Sequence, residues 1–192
     1  MIGILLAQTI ALTGGTVFPV AGPKLEHATV LIRDGRIVAV GANVAVPPDA
    51  TRIDATGKWI TPGLIDGGNQ MGLTEIGAVR ETNDAAVRND TVAASFNVAE
   101  GINPASTLIP ITRMAGVTTA LAAPAEGLIR GQAVLIDLDG ATIEAMLVKS
   151  PVAMVAELSE RTKEAGGGSR AGSAERLRRV LEIGRASCRE RV

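Results

Sequence analysis

The hydrophobic pattern changes rhythm near residue 60, and that change restricts the folds open to this chain more than any other feature. From Gln8 to Ile60 the apolar residues come in short β-rich runs separated by turn residues: Thr16–Val20 after Gly14-Gly15, Ala28–Ile32, Ile37–Val40, Thr51–Ile53 and Lys58–Ile60. Asp34-Gly35 lies between two of these runs, where a two-residue hairpin turn demands positive φ, so Val30-Leu-Ile32 is expected to pair antiparallel with Ile37–Val40. A second turn at Ala55-Thr-Gly57 leads into Lys58-Trp-Ile60. An all-β unit of about 50 residues cannot bury much core alone and needs a neighbour.

After Thr61 strand-like and helix-like segments alternate, which is the mark of a parallel sheet with crossover helices. Gly63–Asp66 reads as a short buried strand. Residues 67–104 are polar and poorly periodic and read as a long insertion. Ser106 is expected to cap a helix with Leu108, Ile111 and Ala115 on one face and Gly116 as its stop. Val117–Ala123, Gln132–Asp137 and Val152–Leu158 read as strands, with a short helix at Thr142–Val148. Ser173 is expected to cap a last helix in which Leu177, Val180 and Leu181 share a face. The fold class expected is therefore α/β.

Composition narrows the function. Hydrophobic residues make up 46% of the 192 and charged residues 20%, a balance that folds into a packed core. A net charge of −1, no basic run, and aromatics limited to Phe18, Trp59 and Phe96 exclude nucleic acid as a partner. No segment approaches the roughly 20 apolar residues of a transmembrane helix. Residues 1–8 combine an apolar stretch with an Ala7-Gln8 junction and lack a charged start, and are expected to be the remnant of an export signal. That implies an exported or periplasmic protein. An ordinary first strand, with a cytoplasmic location, is the alternative.

The last residues, 182–192, break the helical pattern into a polar string. They resemble the in-frame translation of a common short-read sequencing adapter and are set apart as foreign sequence, leaving a body that ends at Leu181. The single cysteine, Cys188, falls in this tail, so the cysteine count says nothing about redox compartment.

The constellations that carry chemistry are sparse. Ala165–Gly172 is glycine-rich and precedes a helix, but no Lys follows its last glycine, and it reads as a flexible loop rather than a phosphate cradle. His27 is the only histidine and stands in the β-unit, read as a surface or edge residue. Carboxylates are supplied by Glu75, Glu81, Asp84, Asp90, Glu157 and Glu160, with Glu160 best placed just beyond a strand end. There is no Gly-x-Ser-x-Gly elbow, and a Ser-His-Asp triad would have to recruit His27.

A small β-unit followed by Gly57-Lys-Trp-Ile-Thr-Pro-Gly-Leu-Ile-Asp66 resembles the opening of the amidohydrolase superfamily, near its imidazolonepropionase-like members. Met71-Gly-Leu73, Gly101-Ile-Asn-Pro104 and Arg113-Met-Ala-Gly-Val-Thr-Thr119 extend the likeness over residues 9–181. The resemblance implies that residues 9–60 are part of a β-sandwich and residues 61–181 the first strands of an incomplete TIM-like (β/α)8 barrel. Against the roughly 250 residues of a complete barrel, this stretch would supply about three or four strand–helix units and leave an open edge prone to aggregation. It implies hydrolysis of non-peptide C–N bonds, of cyclic amide type, with zinc or a similar divalent metal polarising the carbonyl and activating water.

In the family that first strand ends Asp-x-His-x-His, where residues i and i+2 share a side and can grip one metal ion. Here those positions are Gly68 and Gln70, while Asp66 is kept in a supporting role. Glycine offers no ligand and an amide is a poor substitute for imidazole. The further ligands and the catalytic Asp that the family carries on later strands lie beyond residue 181. No catalytic residue, metal ligand or cofactor is therefore assigned to this chain, and a small-molecule substrate is expected only if the protein is active. A non-catalytic relative paired with an active paralogue, another homo- or hetero-oligomer, and a small β-rich binding module remain alternatives.

Overall fold

In the computed structural model, which describes residues 8–88 and 90–189, Asp34 and Gly35 turn with φ of 51° and 73°, the backbone that this kind of hairpin needs. The hairpin they close joins β2 (Leu25–Arg33) to β3 (Arg36–Gly41), with Val30 opposite Val40 and Ile32 opposite Ile37. The chain divides into two compact units, Met1–Pro62 and Gly63–Val192, with the boundary two residues after the expected change of rhythm.

The first unit is one five-stranded sheet. β1 (Thr9–Val17) is its central strand, antiparallel to β2 on one side and parallel to β4 (Thr51–Asp54) and β5 (Trp59–Ile60) on the other. It begins at Thr9 rather than Thr16 and crosses Gly14-Gly15 through register shifts after Leu12 and after Gly15. Partners on both edges hold such a glycine-bearing strand in line. Val17, Ala28 and Val30 are buried with Leu12, Leu25, Ile32 and Ile60 packed around them, a small core for a unit of this size. Ile37, Ile53 and Trp59 stay exposed. The described strands of this unit form one sheet.

The second unit carries β6 (Leu64–Asn69), α1 (Leu108–Met114), β7 (Val117–Ala122), β8 (Ile129–Asp137), α2 (Ile143–Met146), β9 (Leu147–Ala156) and α3 (Arg170–Arg189). Its sheet has the order β6-β7-β8-β9, and only β6 and β7 are parallel. This corrects the expected run of parallel strands. A parallel return needs a dozen or more residues, and only residues 123–128 separate β7 from β8. Between β8 and β9 the helix is a single turn, capped by the Thr142 side chain on the Ala145 N–H. The expected three or four strand–helix units thus reduce to one, β6–α1–β7, followed by antiparallel strands. The fold is mixed α/β with two sheets.

Of the insertion expected at residues 67–104, the first three complete β6, and the described residues from there to 107 hold only short 3-10 turns at Arg80–Thr82 and Val98–Gly101, yet they furnish much of the second core. Met71, Leu73, Ala85, Val98 and Ile102 are buried with Ile109, Ala120, Val134, Ile136 and Met146. The two short motifs within this stretch meet each other: the Asn103 N–H donates to the Gly72 carbonyl at 2.8 Å. Helix α1 stops before Gly116, whose φ is 92°, as the sequence indicates, but its inward residue is Ile109, 5% exposed, while Ile111 is 59% exposed. The helix is two turns long, and its phase is set by contact with the core rather than by the widest apolar spacing.

Helix α3 also starts earlier than expected. Ser169 is its cap, accepting the Gly172 N–H at 3.0 Å, and Ser173 lies buried inside the helix, donating to the Thr162 carbonyl at 2.6 Å. The helix continues past Leu181 to Arg189, where Glu182, Arg185, Ala186 and Arg189 favour it and Gly184 does not. Residues 1–7, with most of the export-signal reading, and residues 190–192 of the tail lie outside the described residues. Among the described residues no helix is long and apolar enough to cross a membrane.

Candidate functional site

Gly63 lets the second sheet begin. A Cβ at this position would stand 2.0 Å from Thr118 Oγ1 and 2.7 Å from Thr118 Cβ, so only glycine allows β6 to enter beside β7 here. The Leu64 N–H then donates to the Gly116 carbonyl at 2.9 Å, and at the far end the Ala123 N–H donates to the Asn69 carbonyl at 2.8 Å. Because β6 and β7 are parallel, their carboxyl ends open on one side, where sheets of this kind hold ligands.

Short polar side chains shape that end. Asp66 Oδ1 accepts the Gly68 N–H at 3.3 Å, Asn69 Oδ1 accepts the Met71 N–H at 2.9 Å, and the Thr74 hydroxyl donates to Gln70 Oε1 at 3.1 Å. Gly68 and Gln70 line one cavity of about 500 Å³ together with Gly67, Asn69, Leu121, Ala123, Pro124, Arg130 and Val155. Gln70 and Arg130 also line a neighbouring cavity of about 580 Å³, which holds Arg88, Arg161, Asp90, Glu126, Glu157 and Glu164.

Arg130 is the electrostatic centre of this region. It reaches in from β8 and forms an ion pair with Glu157. Burial first, and then the charge of Arg161, lower its guanidinium from the ordinary value, while Glu157 supplies the compensating charge. A guanidinium stays protonated through the working pH range all the same. Arg130 Nε and Asn69 Nδ2 are buried without a hydrogen-bond partner among the described residues.

The other residues singled out by sequence fall elsewhere. His27 is exposed on β2 in the first unit, with φ of 50°. Glu160 pairs with Lys163 and, at 3.3 Å, with Arg170, which makes it the charged start of a short 3-10 turn rather than a site carboxylate. Glu75 accepts from Asn103 Nδ2 at 3.4 Å. Asn69 and Arg130 were not legible as site residues, although Arg130 had a signal: the one charge in the strand-like run Leu128-Ile-Arg-Gly-Gln-Ala-Val134.

The donors at the end of β6 do not fit a divalent metal. Position 68 has no side chain, the Gln70 amide oxygen is taken by Thr74, and Asn69 turns its oxygen to Met71 and keeps an N–H, which repels a cation. Among the described residues no three of His, Cys, Asp and Glu converge.

No family model matches the chain. A dihydroorotase from Anaeromyxobacter dehalogenans is 38% identical over 61 residues, which is 32% of this chain and 14% of the relative. An imidazolonepropionase from Bradyrhizobium diazoefficiens is 48% identical over 46 residues, 22% of this chain and 11% of the relative. The crystal structure of an amidohydrolase from Thermotoga maritima superposes with a TM-score of 0.84 at 26% identity, covering 95% of this chain and 49% of its own. In sequence and in fold the chain is similar to proteins of the amidohydrolase superfamily. The chain spans about half the length of that solved relative, and its matches reach a small share of the curated ones.

Proposed function

We propose that this chain is part of an amidohydrolase-superfamily protein that keeps the architecture of cyclic-amide hydrolases and is itself non-catalytic. In this reading residues 9–60 contribute to a β-sandwich and residues 61–181 open a TIM-like barrel, into which β8 and β9 are set as an antiparallel pair. The observation that carries it is the pair of positions at the end of β6. Gly68 and Gln70 face the same cavity, where a metal-holding strand end would present two imidazoles, and neither can serve. What remains is a pocket with amide and guanidinium groups at a strand end, suited to binding a small polar molecule rather than to activating water.

Metal analysis tests the proposal. The purified chain, incubated with zinc and then dialysed, is expected to retain far less than one equivalent. Stoichiometric zinc that survives dialysis would overturn it.

A further inference from the structure

We propose that residues 159–181 swing as one rigid flap over the larger cavity, the one of about 580 Å³, and that Glu157 is the latch that holds the flap shut.

The stretch is tied firmly to itself. It comprises the 3-10 turns Glu160–Thr162 and Glu164–Gly166 and the front of α3. The buried Ser173 hydroxyl donates to the Thr162 carbonyl at 2.6 Å, and Arg176 Nη1 donates to the Ala165 carbonyl at 2.6 Å, so each turn is fastened to the helix. Glycine lets the turns close up on α3: a Cβ at Gly166 would collide with the backbone of Ser173, and one at Gly172 with the Gly166 carbonyl. Gly167 and Gly168, with φ of 71° and 88°, turn the chain back between the second turn and the helix. The glycine-rich run thus cements this body.

Its hold on the sheet is slight. Among the described residues, the hydrogen bonds and ion pairs of residues 159–181 stay within the stretch except one, from the Ser159 hydroxyl to Glu157 Oε1 at 2.7 Å. Among the same residues no hydrophobic side chain beyond Met146 is buried, and Leu158, where the chain leaves the sheet, is 54% exposed. A segment with so little buried apolar surface opens at low cost. Rigid inside and weakly held outside, the body turns about the joint at Leu158 as a hinged element.

Glu157 stands on the sheet side of that joint. Its N–H donates to the Leu128 carbonyl at 3.0 Å, and its carboxylate pairs with Arg130. Arg161, on the flap, lines the same cavity, and its charge opposes that of Arg130. Glu157 therefore accepts the hydroxyl of the flap and also screens two guanidinium groups that would push the cavity walls apart. Arg88, Asp90, Glu126 and Glu164 complete the charged lining.

The test measures distances by pulsed electron paramagnetic resonance in the full chain with Cys188→Ser. Spin-labelled cysteines replacing the exposed Val148 on β9 and Arg178 on α3 report the flap against the sheet, and a pair at Glu160 and Arg178 reports distance within the flap. The parent is expected to give one distance for each pair. Glu157→Gln keeps an acceptor for Ser159 and removes the charge. An open state of about 1%, raised about tenfold by that loss, then becomes a second and longer distance between β9 and α3. Adding Arg161→Gln removes the charge that opposes Arg130 and is expected to return the single distance, which mere loss of packing at residue 157 would not do. Should Glu157→Gln fail to fold, Ser159→Ala removes the hydrogen bond from flap to sheet and is expected to give the same second distance. An unchanged distribution in the folded variant, or a second distance in Glu157→Gln that persists when Arg161→Gln is added, would overturn the proposal. So would a change in the Glu160 to Arg178 distance, because the turns and α3 would then not move together.

Discussion

Replacing Gly63 with alanine should destabilise the second unit, and the structure sets the size of the effect. The added Cβ would lie 2.0, 2.4 and 2.7 Å from Oγ1, Cγ2 and Cβ of Thr118. Rotating the threonine can move the two γ atoms but not its Cβ, so backbone must yield where β6 enters beside β7. Overpacking of this kind costs about 1–3 kcal/mol. With a urea slope of about 1–3 kcal/mol per molar, a loss of about 2 kcal/mol lowers the unfolding midpoint by roughly 1 M. Gly68→Ala is the internal control, because a Cβ there meets nothing within 4 Å and its φ lies outside the left-handed range. That change should be neutral or stabilising by about 0.4–1 kcal/mol. Urea unfolding of both variants, followed by far-ultraviolet circular dichroism, measures the difference. Equal midpoints would refute the claim that close approach to Thr118 requires glycine at position 63.

Two further outcomes follow from packing and charge. Ile109→Ala, at the buried position of α1, should cost about 2–5 kcal/mol, whereas Ile111→Ala on the exposed face should stay within about 0.5 kcal/mol, as thermal or urea unfolding would register. Asp54 accepts the Thr56 N–H at 2.9 Å, and hydrogen bonds from Thr56, side chain first and then backbone, lower its carboxyl from the ordinary value. Because the folded value lies below the unfolded one, the stabilisation is complete above the unfolded pKa of about 3.9 and is lost as pH falls through the folded value. Asp54→Asn should flatten that acid limb in a pH series of unfolding curves.

The sequence made local structure legible where one residue type answers one geometric demand. Asp34-Gly35 marked its hairpin because positive φ at two successive positions selects such a pair, and Gly116 marked the end of α1 for a similar reason. Pairing direction was less legible. Gln132–Asp137 lies within β8, and Val152–Leu158 overlaps β9, which starts earlier at Leu147 inside the expected helix and ends at Ala156; their orientation depended on the shortness of residues 123–128, and strand content alone suggested parallel neighbours. Ser173 looked like a cap because serine is common there. The cap is Ser169, four residues earlier, and burial of Ser173 against the Thr162 carbonyl could not be seen from local pattern.

The site was legible by half. Gly68 and Gln70 were picked out through the family resemblance, which sets two histidines at those positions after Pro62–Asp66. Arg130 was not, because it enters from a strand whose antiparallel placement the sequence did not reveal. Asn69 escaped notice as the residue between the two motif positions, although its Oδ1 accepts the Met71 N–H and its Nδ2 is buried without a partner among the described residues.

The central claim is that residues 68 and 70 are what deprive this strand end of metal, and restoring histidine at both positions tests it most directly. Gly68 has room for a side chain and Gln70 lines the same cavity. Calorimetric titration of zinc into the chain and into its Gly68→His/Gln70→His variant should give a one-to-one site in the variant, tighter than any zinc binding by the parent by about tenfold or more, equivalent to about 1.4 kcal/mol. Equal zinc affinity in parent and variant, with both folded, would contradict it.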